Sequence, residues 1–364
     1  MAVKPIPDTL LRYARHGSAE FNARMHAWLT GLAAEVRGAL GENLTALVLG
    51  GGYGRGEGGV LCVAGEERPY NDLDFLLVVR RKGGIPTAAL EAIRHNYERL
   101  TGIQVDFSRP LTVEEIRQWR PTLMWSDLLH GHSVLDGPAD ILTANAPAMP
   151  SDRLPPIEAT RLLLNRGAGL LWSLRVVREC ESAPDEDFVR RNYFKCALSL
   201  GDALLIVYGR FATPYTGRDQ LLAGLLAEFQ PAISFDLPEL YSGALAFKFR
   251  PGQPVLQPDE PDLKRLATQW GEVWLHIERR RACRPWPTMA DYVRANDLRE
   301  PEQNILRHWP RNLVRNRQSG VWSVRYPRER LYRELPALLG LCASDRSRWS
   351  ADSERFLAIW KRVN

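Results

Sequence analysis

Residues 44–79 read LTALVLG-GGYGRGEGG-VLCVAGEERP-YNDLDFLLVV. The first seven residues are an apolar run about one strand long that stops at glycine. The last ten carry Asp72 and Asp74 and continue as the apolar run Phe75-Leu76-Leu77-Val78-Val79. In an extended strand, residues i and i+2 face the same way. The two carboxylates therefore stand side by side, about 7 Å apart along the backbone, while Leu73 points to the core. Two unpaired acids behind a half-buried strand are costly. Divalent metal meets that cost, and two ions about 3.5–4 Å apart are bridged by such a pair.

The flanks extend the pattern. Upstream, residues 7–40 place Leu10, Leu11 and Tyr13, then Phe21, Met25, Trp28, Leu29, Leu32 and Val36, at roughly helical spacing. This predicts a helix with Asp8 capping its first turn and Gly17 dividing it in two. Downstream, Gly83, Gly84 and Pro86 break the chain. Residues 87–101 then read as a helix ending near Gly102, and 103–107 as a third short strand. Helix, strand, loop, strand, helix, strand is the order of an α/β (α+β) core on a mixed sheet. Asp106 lies between Val105 and Phe107 and projects as Asp72 and Asp74 do, which makes it a third candidate acid. A lone strand Asp is otherwise a solvated edge residue. Residues 112–130 look helical. His130 and His132, separated by Gly131, make a poor helical metal pair and read as structural or loop histidines. Residues 142–156, rich in Pro, Ala and Asn, read as a linker.

The stretch 44–79 resembles the nucleotidyltransferase superfamily that includes DNA polymerase beta and kanamycin nucleotidyltransferase. That pattern is a strand, Gly-Gly or Gly-Ser, a gap, and Asp-x-Asp at the start of the next strand. The wording Gly51-Gly52-Tyr53-Gly54-Arg55-Gly56-Glu57 looks most like the uridylyltransferase of bacterial nitrogen regulation. The resemblance covers roughly residues 40–110, and WSDLLHGHSVLDGP at 125–138 is similar to a stretch closing the catalytic domain of antibiotic nucleotidyltransferases. The gap from Gly52 to Asp72 is longer than usual, and its VLCVAGEER predicts a small hairpin beside the site.

The resemblance implies transfer of a nucleoside monophosphate from a nucleoside triphosphate such as ATP to an acceptor, with release of pyrophosphate. Asp72, Asp74 and Asp106 are then both catalytic and metal-binding, holding two Mg²⁺ ions, or Mn²⁺ in their place. Gly51 and Gly52 let the backbone approach the triphosphate. Arg55 supplies a cation for it, and Glu57 holds the loop by hydrogen bonding. Tyr53 is open between stacking on a ligand and packing. Residues 54–59 also match GxGxxG formally. However, a Rossmann turn opens a full helix and its acid ends the second strand, whereas these acids begin it. No Gly-Lys-Ser/Thr follows, which excludes a P-loop.

Residues 157–249 read as a helical bundle, with helices at 157–181, 185–209, 216–229 and 236–248. The second carries one polar stripe, Asn192, Lys195, Ser199 and Asp202. That stripe is either a thin solvent face or a face turned to the catalytic domain. In the latter case Lys195 binds a phosphate tail and Asp202 orients the acceptor, with Asn165, Arg166 and Gly169 as weaker candidates of the same kind. The proline-rich 250–262 is a joint, and helical patterns return at 263–282, 288–295 and 300–315. The division expected is a catalytic domain over 1–142, a linker over 143–156, a bundle over 157–249 and a helical, Arg-rich extension over 263–364. Within the last, 307–333 holds eight Arg against one Glu, interleaved with Trp309, Trp322, Tyr326 and Tyr332. Such a segment binds nucleic acid, docks on an anionic partner, or simply covers a helix surface.

Composition narrows the class. The chain has 364 residues and a net charge of +5, and only six of its 48 basic residues are Lys, which fits a GC-rich genome better than selection for phosphate. Five cysteines at 62, 180, 196, 283 and 342 form no metal-type cluster and read as free thiols of a reducing cytoplasm. No signal pattern opens the chain, and no apolar run is long enough to span a membrane. Within the enzyme reading, the chain has no His-Asp dipeptide, so the hydrolase motif of the nitrogen-regulation enzyme is absent. A small hydroxyl- or phosphate-bearing acceptor is favoured, with protein or RNA as runner-up. The rival from another class is a catalytically silent nucleotide-binding or regulatory module on the same fold.

Overall fold

The run 72–79 becomes the long strand of a mixed four-stranded sheet. The computed structural model describes residues 12–252, 256–295, 300, 305–318, 322–342 and 346–363. They divide into two units. The first is Met1–Leu154 with two later returns of the chain, Ala212–Arg218 and Leu245–Val255; the second is the remainder.

In the first unit, α1 (Ala19–Leu40) is started by Ser18, whose Oγ accepts from the Phe21 amide at 3.1 Å. Residues 12–18, which precede it, are not helical. Tyr13 and Ala14 donate their amides to the buried Asn22 side chain, at 2.8 and 3.1 Å, and Ala14 forms a bridge with Glu57. Gly17 thus precedes the helix instead of dividing it, and Asp8 lies outside the described residues. The sheet has the order β5-β4-β1-β6, with β1 (Leu44–Leu49), β4 (Asp72–Val79), β5 (Gln104–Phe107) and β6 (Ser133–Asp136). β1 runs antiparallel to β4 and β6, and β4 runs parallel to β5. Parallel neighbours need a crossover, which α3 (Thr87–Thr101) supplies before ending at the left-handed Gly102. Between β1 and β4 come the single turn α2 (Gly51–Gly54) and a hairpin of β2 (Gly59–Val63) and β3 (Glu66–Tyr70), the hairpin expected from the long gap.

Alternation along β4 builds two cores. Leu73, Phe75 and Leu77 pack with α1 and α3 residues on one face, and Leu76 and Val78 pack on the other with Ile116, Trp119 and Leu142. Asp72 and Asp74 share the second face, beyond the end of its apolar cover. The helix expected over 112–130 is two, α4 (Val113–Arg117) and α5 (Leu123–His130), each opened by a threonine cap, with Pro121 between them. The supposed linker is not free chain. Its residues Leu142 and Met149 are buried in the second core, and the division between units falls after Leu154.

The second unit is helical: α6 (Ile157–Val177), α7 (Phe188–Val207), α8 (Arg218–Phe229), α9 (Leu237–Phe249), α10 (Glu260–Ala282), α11 (Met289–Arg294), α12 (Ile305–Arg317), α13 (Pro327–Leu338) and α14 (Trp349–Val363). The first residue of α8 and the last residues of α9 are counted with the first unit, so the expected bundle over 157–249 is not one continuous piece. Trp270 fills the interior and donates its indole N–H to the Leu163 carbonyl at 3.0 Å. Trp309 and Trp322 are exposed while Tyr326 and Tyr332 are buried, so the Arg-aromatic segment is not a single surface. Among the described residues no helix is long and apolar enough to cross a membrane.

Candidate functional site

Asp74 and Asp106 are direct register partners across the parallel pair β4–β5. Registered residues on neighbouring strands face the same side, about 4.8 Å apart. Asp72, two residues back, shares that side. Asp74 is exposed, and Asp72 and Asp106 are half-buried. The glycine loop runs against the same carboxylates. The Gly50 amide donates to the Asp74 carbonyl at 2.8 Å. Gly51 has φ +61°, and a Cβ there would come 2.5 Å from Asp74 Oδ2. Only glycine combines that backbone with that approach. Asn71, also left-handed at φ 85°, donates its side-chain amide to Asp72 Oδ1. Gln104 Nε2 donates to both oxygens of Asp106, at 3.0 and 2.9 Å. Neighbouring carboxylates repel one another, and these amides offset part of that charge.

Three oxygen-donor side chains on rigid adjacent strands suit a hard divalent cation, and the missing Cβ of Gly51 leaves room beside Asp74 Oδ2. The side chains do not close into a cage as they stand: among the described residues no group of three or more His, Cys, Asp and Glu is disposed to hold a metal ion.

The other half of the motif turns inward. Arg55 Nη1 pairs with Asp127 Oδ2 at 2.6 Å, and its Nε lies 3.6 Å from Glu57 Oε2. Both the Arg55 and Glu57 side chains are 7% exposed. Glu57 accepts from the Tyr215 amide, the Thr216 amide and the Thr216 hydroxyl, each at 2.9 Å. It holds a loop, as expected, but the loop is the distant return 212–218 as well as its own. The Tyr215 ring is faced by three cations: Arg218 at 3.9 Å, Lys248 at 4.3 Å and Arg55 at 5.3 Å from its centroid. Burial, then the charges of Arg55 and Arg218, pull the Lys248 ammonium down to about 8. Gly52 backs onto the Glu57 carbonyl, 3.2 Å from where its Cβ would be.

Tyr53 packs. It is buried, donates its hydroxyl to the Gly59 carbonyl at 2.6 Å and accepts from the Tyr70 amide at 2.8 Å, pinning the hairpin to the glycine turn. Burial and the Asp72 charge push its hydroxyl pKa well up. His130 and His132 have their Nδ1 atoms 2.8 and 2.9 Å from the carbonyls of Ser126 and Leu128, the structural role expected of them.

Lys195, Asp202, Arg166 and Asn165 lie in the second unit, on α6 and α7. The polar stripe of α7 is not a solvent face along its length. Ser199 and Asp202 are buried, and Asp202 accepts from the Tyr241 hydroxyl at 2.6 Å. Gly169 of α6 lies against Asn192, whose Oδ1 would be 2.5 Å from a Cβ. The stripe is therefore in part a seam between helices. Asn165 is taken by the Trp360 indole at 3.0 Å. Lys195 and Arg166 are half-buried.

Two groups escaped the reading of the sequence. Asp127 and the return 212–218 are remote from the motif along the chain. The Pro214 and Gly217 of ATPYTGR signal a loop, Gly217 having φ +84°, but nothing local points to Glu57. Compared with known proteins, the chain matches no family model and no curated sequence.

Proposed function

We propose that the first unit is a nucleotidyltransferase catalytic unit that moves a nucleoside monophosphate from a nucleoside triphosphate to an acceptor. The observation that carries this reading is the register of Asp74 with Asp106, beside Asp72 and against Gly51. Three acids on two parallel strands under a glycine turn are what in-line phosphoryl chemistry uses for positioning and charge compensation. An acceptor oxygen forms a bond to the α-phosphorus while the bridging α–β P–O bond breaks, and pyrophosphate leaves. Divalent cations held by Asp72, Asp74 and Asp106 would supply the charge that lowers the acceptor pKa and offsets the leaving group. Asp106 takes the acceptor proton, its carboxylate kept oriented by Gln104. Gly51 keeps the backbone from covering the Asp74 carboxylate. Small hydroxyl- or phosphate-bearing molecules remain the favoured acceptors.

A second reading has one observation behind it. Asp72 and Asp106 are already engaged by amides, which suits a module that binds nucleotide without turnover. The experiment is Mg²⁺-dependent pyrophosphate release from each of the four nucleoside triphosphates in the presence of a metabolite pool, for the wild type and Asp74→Ala. Release that needs both the metal and Asp74 supports transfer. Tight nucleotide binding without release supports the silent module. Neither release nor binding overturns both.

A further inference from the structure

Residues 12–15, the glycine loop and the return 212–218 border a cleft of the first unit, of about 560 Å³, with Arg12, Arg15, Arg55, Glu57, Ser133 and Thr216 among its lining residues. We infer that this cleft binds a phosphoryl group. The inference does not depend on the transferase reading, because none of the three strand acids lines the cleft.

The charge is predominantly positive, three arginines against Glu57. Arg12, Arg15 and Arg55 line the cleft, and Arg218 and Lys248 crowd the Tyr215 ring with Arg55. The acids of this neighbourhood, Glu57 and Asp127, are already occupied by Arg55 and the 215–216 amides. Two neighbouring titratable groups are lowered by burial first and by the surrounding cations second. Lys248 is lowered by burial and by Arg55 and Arg218, and His16 by burial and by Arg250 and Arg15. A bound anion relieves that repulsion.

The backbone that carries the donors is held in place. Arg15 is fixed by one bond, Nη1 to Thr216 Oγ1 at 2.9 Å, which leaves the rest of its fork for a ligand. Arg12 makes no side-chain hydrogen bond or ion pair among the described residues. The backbone carrying both is clamped by Asn22, by the Ala14–Glu57 bridge and by the Gly58 amide donating to the Tyr13 carbonyl at 3.0 Å. The buried Arg55 Nε has no hydrogen-bond partner among the described residues. Two exposed guanidinium forks, Arg12 and Arg15, with the paired Arg55 behind them, match a tetrahedral dianion better than a single carboxylate.

The phosphoryl group has two sources of the same chemistry, the tail of a nucleotide or a phosphate on an acceptor. The probe is inorganic pyrophosphate, titrated calorimetrically without metal into the full chain carrying Asp74→Asn. The inference expects saturable binding at constant ionic strength, weakened about a hundredfold by Arg12→Gln with Arg15→Gln, near tenfold for each lost charge-assisted contact. Arg81→Gln with Arg99→Gln, which removes the same charge from exposed sites elsewhere, leaves it unchanged. Tighter binding of tripolyphosphate than of a sugar phosphate assigns the cleft to the nucleotide tail, and the reverse assigns it to an acceptor. Binding unaffected by the Arg12/Arg15 pair, or equally weakened by the control pair, overturns the inference. Succinate binding as tightly as pyrophosphate overturns the phosphoryl assignment. Arg12 and Arg15 are exposed, so loss of folding does not confuse the result.

Discussion

Arg55 and Glu57 on one side of the hairpin, and Asp72 and Asp74 on the other, are charged residues of one motif with different surroundings. The first pair is buried, bonded to Asp127 and to the return 212–218, and holds the first unit together. The second pair stands on a strand face at the end of its apolar cover, with a glycine turn against it. Charge alone does not say what a residue does for the fold. Burial does, because a buried ion whose partner is lost carries its desolvation cost alone, whereas an exposed acid such as Asp74 is removed with little effect on folding.

The sharpest way to break this contrast is to remove one member of each side. Asp74→Ala is expected to lower nucleotide transfer by a factor of about 1,000 or more, equivalent to about 4 kcal/mol of transition-state stabilisation, with unchanged circular dichroism and melting temperature. Pyrophosphate release and thermal unfolding measured on the same preparation check both halves. A variant that turns over like the wild type ends the proposed role of the strand acids. Glu57→Ala is expected to do the opposite. It leaves Arg55 with one fewer counter-charge and strands the Tyr215 and Thr216 amides, and should destabilise the first unit by about 3–5 kcal/mol. Limited proteolysis should then cut within 212–218 at a rate well above that of the wild type. If that loop stays protected, Glu57 does not hold it.

Gly51→Ala separates the two sides within a single residue. The left-handed backbone costs an alanine about 1–2 kcal/mol, and the new methyl presses on Asp74 Oδ2. Stability should fall by about that amount, and transfer by more than the stability loss explains. Equal stability with full activity would show that the turn and the carboxylate are not coupled.

Much of this was legible in the sequence, and for identifiable reasons. Residues 44–49 and 87–101 match β1 and α3 residue for residue, because the first is an apolar run stopped at glycine and the second is a periodic stretch set between Pro86 and Gly102. The hairpin 59–70 followed from an overlong gap, and the side shared by Asp72, Asp74 and Asp106 from strand alternation alone. What stayed hidden depends on partners far along the chain. β6 is four residues long and exists through pairing with β1. The return 212–218 carries turn residues but no mark of its partner Glu57. The stripe on α7 gave the spacing but not that Ser199 and Asp202 are buried, since periodicity identifies a face without saying what covers it. Asn22 is buried and fastens the chain segment that carries Arg12 and Arg15, a role that nothing near it in the sequence marks.

The smallest effect concerns Lys248, and it sharpens the picture of the inward side. Its pKa is lowered to about 8 by burial and by Arg55 and Arg218, against the opposing pull of Glu57 and Asp127. In the unfolded chain the same group titrates near the ordinary lysine value, roughly 10.4. Below about pH 8 both states are charged, and the folded state bears the repulsion. Between about 8 and 10.4 the unfolded chain binds more protons than the folded one, so this group makes stability rise with pH. Lys248 is only half-buried, and solvent screening reduces the effect, so a gain of about 1 kcal/mol from pH 7 to pH 9 is expected. Lys248→Met removes the titration and with it that gain, while keeping the length of the side chain over Tyr215. Urea unfolding of wild type and variant at both pH values gives the difference directly. If the two proteins change in parallel, the three cations around Tyr215 do not repel one another enough to matter, and the inward side is held by Glu57 and Asp127 alone.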